Sequence, residues 1–139
     1  MIILDTNVLS ALMRSPADQQ VAHWLDQQPR ISLWTTSITV LEIRYGLQLL
    51  PAGKRRSTLV ALFEILVVEK MDSRVASFDI AAAQHAGDLM AARHRRGRPG
   101  DLRDTMIAGI VLAARATLAT RNTSHFADLD VPVVNPWSR

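Results

Sequence analysis

Short apolar runs alternate along this chain with longer segments whose apolar residues recur every three or four positions. The first run, MIILD (1–5), is aliphatic, partly β-branched and ends on an acid, as a short buried strand does. NVLSALMR (7–14) follows with helical character and stops before Pro16. Asp5, Thr6 or Asn7 can cap that helix near Val8. ADQQVAHWLDQQ (17–28) puts Val21, Trp24 and Leu25 at helical spacing until Pro29. ISLWTT (31–36) predicts a second strand, and Ser37 is the expected N-cap of a helix over ITVLEIRYGLQLL (38–50). Pro51-Ala52-Gly53 breaks it before KRRSTLVALFEIL (54–66). LVVEKM (66–71) reads as a third strand, and Asp72 or Ser73 is expected to cap a long helix to about Arg96. GRPG (97–100) is a turn, and Asp101 caps a helix through about Arg115. ATLAT (116–120) and VPVVN (131–135) predict a fourth strand and a short fifth. Strands separated by helices imply an α/β fold, a parallel sheet of four to five strands with helices on both faces, in one domain over 1–139.

Composition narrows the picture. The 139 residues suit one domain, and 48% hydrophobic with 21% charged residues is the balance of a soluble core. The absence of cysteine removes disulfides and thiolate metal sites and favours a cytoplasmic home. No apolar run approaches a membrane span, and the N-terminus has no basic leader, so no membrane partner is expected. Net charge is only +3, yet all cations except Lys54 and Lys70 are Arg, whose planar fork pairs with phosphate. A nucleic-acid partner is therefore admissible, although a GC-rich genome explains such a composition equally well.

Three acids stand out because their local neighbours do not compensate them. Asp5 ends the first strand, Glu42 lies early in the helix after the second, and Asp104 lies in the first turn of the helix leading to the fourth. Glu42 has Ile38, Thr39, Tyr45 and Gly46 at helical-neighbour spacing, none a cation. Asp104 shares its face with Asp101 and runs into DTMIAGIVLAA, which is nearly all apolar. In a parallel sheet all three acids fall at or near the carboxyl end, where they can converge. Taken singly, each has an ordinary explanation: a turn acid, a helix-dipole partner, or one half of a distant ion pair. Taken together, a divalent cation resolves their repulsion.

Four blocks, LDTNVL (4–9), TSITVLEIRYG (36–46), GDLRDTMIAGI (100–110) and LATRNTSHF (118–126), resemble in order the signature blocks of PIN-domain ribonucleases. The resemblance is to the VapC toxins of type II toxin–antitoxin systems, in their FitB-like branch, and spans nearly the whole chain. It implies a three-layer α/β/α sandwich and an endoribonuclease dependent on Mg²⁺ or Mn²⁺. Asp5, Glu42 and Asp104 match the family's catalytic and metal-binding acids. Asp101 matches an accessory acid. The fourth block departs, because Asn122 and His125 stand where the family often carries an acid. Asn122 is a candidate ligand through its amide oxygen, and His125 is either a phosphate contact or a solvent-facing ring.

A metal-dependent nuclease hydrolyses the phosphodiester with water and leaves a 5′-phosphate. The four histidines lie in unrelated segments, which argues against a metal-free mechanism using paired histidines. Arg93, Arg95, Arg96 and Arg98, just before Asp104, are expected to line an RNA path, with a solvated helix end as the plain alternative. Aromatic residues at 5% argue against extensive base stacking. The apolar surplus of TLVALFEILVV and YGLQLLP belongs by default to the core. The resemblance implies instead a groove for a VapB-like antitoxin, a homodimer and a toxin–antitoxin hetero-oligomer. Two other readings compete: a non-toxin PIN nuclease in RNA processing, and an inactive PIN binding module.

Overall fold

A computed structural model describes residues 1–138. Five parallel strands form one sheet in the order β3-β2-β1-β4-β5: β1 (Ile2–Leu4), β2 (Leu33–Thr36), β3 (Val75–Ala76), β4 (Thr117–Ala119) and β5 (Val133–Val134). Six α-helices among the described residues accompany them: α1 (Thr6–Leu12), α2 (Gln19–Asp26), α3 (Ser37–Leu49), α4 (Lys54–Ile65), α5 (Ile80–Arg95) and α6 (Leu102–Ala114).

The strands are short and largely buried because both faces are covered. Successive residues point to opposite sides. Leu4 and Ala119 pack with α1–α4, among Val8, Val21, Ile43 and Phe63. Ile3 and Leu118 pack with α5 and α6, among Ala82, Ile107 and Val111. The result is the expected α/β/α sandwich. On the second face α5 and α6 touch closely at Gly109, where an added Cβ would come 2.4 Å from the Ala82 carbonyl oxygen.

The third strand differs from expectation. Residues 66–70 do not pair in the sheet; they prolong α4 as one wide π turn, closed by the Met71 N–H on the Leu66 carbonyl at 3.2 Å. No Gly or Pro interrupts 54–71, so helix propagation wins over the β preference of Val67 and Val68. Asp72 and Ser73 then take left-handed conformations, and Val75–Ala76 pairs with Thr35–Thr36. The long helix consequently starts at Ile80 rather than after Asp72 or Ser73. Asp79 caps it, accepting from the Ala82 N–H at 2.9 Å. Similarly, α3 is capped by Thr36, not Ser37; the Thr36 hydroxyl accepts from the Thr39 N–H at 3.0 Å, while Ser37 Oγ accepts from the Phe78 N–H.

Candidate active site

The strand order reverses between β1 and β4, which opens a crevice at their carboxyl ends. Asp5 sits at that point. It is the N-cap of α1, 3% exposed, and its Oδ1 accepts the Thr6 N–H at 2.8 Å. Its Oδ2 accepts the Thr120 hydroxyl, just past β4, at 2.7 Å. Asn7 joins the same strand ends: its Nδ2 reaches Thr120 Oγ1 at 3.3 Å, and its Oδ1 accepts the Arg121 N–H at 3.2 Å. Glu42 comes from α3, nearly two turns beyond the Thr36 cap. Its Oε1 accepts the Thr6 hydroxyl at 3.0 Å. Asp104 comes from the first turn of α6, and its Oδ2 lies 3.1 Å from His125 Nδ1.

These three acids border one cleft of about 340 Å³, together with Thr6, Asn122, Arg121 and Trp137. Burial pushes the Asp5 carboxyl up from 3.8 to about 6, against the opposing hydrogen bonds from Thr120 and Thr6; the charges of Asp104 and Glu42 push it further up. Compensation from cations is thin. Arg103 Nη1 stands 3.9 Å from Glu42 Oε2, a long pair whose arginine is half-exposed.

The donor set is all hard oxygen, which suits Mg²⁺ or Mn²⁺. Among the described residues, no three His, Asp or Glu side chains gather closely enough to enclose a cation by themselves. Mg²⁺ is commonly held by one or two carboxylates with water completing its shell, so an open group of acids around a buried, electrostatically stressed carboxylate fits that ion.

Asp101 and Asp104 divide their roles. Asp101 is exposed and caps α6, accepting the Asp104 N–H at 3.1 Å. Asn122 borders the acidic cleft, and its N–H is held by Thr120 Oγ1 at 3.1 Å. His125 is half-exposed and, rather than facing solvent alone, is aimed at Asp104.

The arginine cluster differs from expectation at Arg93. Its guanidinium is 5% exposed and is engaged by protein partners. It grips Asp128 with Nε and Nη2, both at 2.9 Å, and donates to Thr105 Oγ1 at 3.0 Å and to the His125 carbonyl at 2.9 Å. Arg93 thus fastens the end of α5 to the start of α6 and to the turn carrying His125. The signal for this is present in the sequence: Ala82, Ala86, Leu89 and Arg93 recur at helical spacing along one face, and all are buried. Arg96, one turn on, also pairs with Asp128 at 2.9 Å but is half-exposed. Arg96 and Arg98 border a second hollow of about 340 Å³ next to Asp104, while Arg95 is exposed outside both hollows.

Residues not read as site residues from sequence are Thr6, Asn7, Thr120, Arg121 and Trp137, the first two having been read only as helix caps. Four of them form the polar runs directly after β1 and β4, a position where α/β sheets place site residues. Trp137 has no such signal.

The profile of the PIN domain matches residues 2–132. The chain is 39% identical over 137 residues to the VapC ribonuclease Y4jK of Sinorhizobium fredii, covering 99% of this chain and 98% of that protein. It is 33% identical to the toxin FitB of Neisseria gonorrhoeae, covering 99% of each. The crystal structure of FitAcB from N. gonorrhoeae superposes with a TM-score of 0.90 at 32% identity over the full length of both chains. With three acids at the carboxyl edge of a five-stranded parallel sheet and this likeness end to end, the chain belongs to the PIN-domain family, in its VapC/FitB-like branch.

Proposed function

We propose that this protein is the toxin of a type II toxin–antitoxin system and acts as a metal-dependent endoribonuclease. The observation that carries the reading is the convergence of Asp5, Glu42 and Asp104 on one cleft, in a chain whose relatives are named as VapC ribonuclease and FitB toxin. Asp5, Glu42 and Asp104 are the candidate ligands of Mg²⁺ or Mn²⁺, with Asp101 and Asn122 as secondary candidates. When bound, the cation supplies charge relief to the phosphate and acidifies water. The chain's own part is to present and orient oxygen atoms. Thr6 ties the end of β1 to α3, because its N–H fixes Asp5 and its hydroxyl fixes Glu42. Thr120 holds the other Asp5 oxygen, and His125 restrains Asp104. Water attacks the phosphorus, the 3′-oxygen leaves, and the product carries a 5′-phosphate.

Partner surfaces support the same reading. An apolar hollow of about 820 Å³, bordered by Met13, Ile43, Leu47 and Leu59, runs up to Thr6 and Glu42. We assign it to a VapB-like antitoxin whose seated segment blocks the acids. No helix among the described residues is long and apolar enough to cross a membrane, in keeping with a cytoplasmic RNA substrate. A homodimer and a hetero-oligomer with the antitoxin, each subunit a single domain, complete the proposal. Exposed Arg95, Arg96 and Arg98 are its candidate RNA contacts. The test is incubation of purified protein with total RNA and Mg²⁺ or Mn²⁺. Cleavage that leaves 5′-phosphates and stops with chelator and with Asp5→Asn is the expected result. Cleavage persisting in chelator with cyclic-phosphate ends would overturn it.

A further inference from the structure

A cleft bordered by three acids repels a polyanion, so something at its rim must hold phosphate. Two cations border it, Arg14 and Arg121. Arg121 is the one whose position is set from both ends. Its N–H is bound by Asn7 Oδ1 at 3.2 Å, and its guanidinium lies over the ring of Trp137, 5.0 Å from the ring centre. Trp137 is itself pinned. Its Nε1 donates to Asp18 Oδ2 at 3.1 Å and its N–H to Asn135 Oδ1 at 2.9 Å, and its carbonyl accepts from the Gln20 side chain. Asp18 is fixed in turn as the N-cap of α2.

Arg121 makes no ion pair among the described residues, unlike Arg93, Arg96 and Arg103. A guanidinium held by a ring face keeps its N–H donors in their plane free, whereas a carboxylate partner would consume them. An arginine restrained, charged and unspent beside three acids is built for a bidentate phosphate contact.

We propose that Arg121 binds a phosphodiester of the RNA substrate at the mouth of the acidic cleft, and that Trp137 is the positioning residue that orients it. The proposal deepens the nuclease reading and rests on it for the identity of the substrate.

The experiment measures cleavage of bulk tRNA with Mn²⁺, and filter binding of the same tRNA across a salt series. Arg121→Ala is expected to raise KM about tenfold, to change kcat far less, and to lower the salt slope of binding by about 0.7–0.9. Trp137→Leu should move KM in the same direction. Trp137→Phe, which keeps a ring but loses the bond to Asp18, should restore most of the affinity. The double variant Arg121→Ala/Trp137→Leu should be no worse in KM than Arg121→Ala, because Trp137 acts through Arg121. Unchanged KM and salt slope in Arg121→Ala, with wild-type cleavage intact, would overturn this proposal and leave the nuclease reading standing. Equal losses in Trp137→Phe and Trp137→Leu, or additive losses in the double variant, would overturn the positioning role. Arg121-dependent tRNA binding without any cleavage by wild type would do the reverse, sinking the nuclease reading and keeping the phosphate site. Absence of both binding and cleavage would sink both.

Discussion

Asp5 and Asp128 meet opposite fates within neighbouring regions that share the start of α6. In the acidic cleft, Asp5 is buried with two further carboxylates near it, and burial drives its pKa up to about 6. In the arginine cluster, Asp128 receives Arg93 in a two-pronged grip and Arg96 beside it, and the hydrogen bonds from Arg93 hold it below its ordinary value. The cluster is electrostatically satisfied and ties three segments together. The cleft is electrostatically unresolved, and a resting protein gains nothing from that. The pairing of a settled scaffold with a stressed site beside it is what a binding or catalytic centre requires.

Replacement of Asp5 by Asn tests the contrast most severely. RNA cleavage should fall to the limit of detection, and growth arrest on expression without a partner should disappear. Equal toxicity of the two proteins at matched levels would remove Asp5 from the site. Arg93→Ala should instead act on folding, costing about 3 kcal/mol in urea unfolding because Asp128 loses its buried partner. A cost below about 1 kcal/mol would show the cluster to be ornamental.

The two aspartates should also separate in pH. Asp5 has a folded pKa above its unfolded one. Its protonated form therefore contributes relative stability that is fully present below 3.8 and is lost as pH rises through about 6. In chelator, that loss should approach about 3 kcal/mol between pH 3 and 7, and Asp5→Asn should flatten it. Asp128 has the opposite sign. Its contribution is present above the ordinary carboxylate range and is lost only as pH falls through its lowered value, below 3.8. A single sigmoid shared by both windows would break the comparison.

Added cation should relax the cleft and leave the cluster untouched. Wild type should gain about 2.7 kcal/mol when free Mn²⁺ reaches ~100 times its Kd. Asp104→Asn should be at least as stable as wild type in chelator and gain less from Mn²⁺, both read by thermal unfolding. An unchanged gain with a large loss in chelator would make Asp104 a helix-start residue only. The smallest effect should be that of Arg96→Ala, within about 1 kcal/mol, since Arg96 is half-exposed and duplicates part of the Arg93 grip.

Much of this was legible along the chain, because capping and periodicity are local. The strands at 2–4, 33–36 and 117–119, the turn at 97–100 and the Asp101 cap follow from short-range preferences of residues near one another. So did the acids without local partners, since a helix face can be read off spacing alone. Other features needed the tertiary structure. A two-residue strand such as Val75–Ala76 has no period to read, and it exists because β2 offers it an edge. Arg93 sits among four arginines of similar local appearance, and burial against Asp128, 35 residues on, separates it from the rest. Trp137 meets Asp18 across 119 residues, a contact no local rule foresees. The chain by itself determined which residues were chemically unusual, since those properties are carried by neighbours within one helical turn. Only the sheet order, which sets β1 beside β4, decided that Asp5 would be buried against Thr120 and that three separate acids would share one cleft. Such convergence is a consequence of packing strands distant in sequence, and packing is where its energy resides.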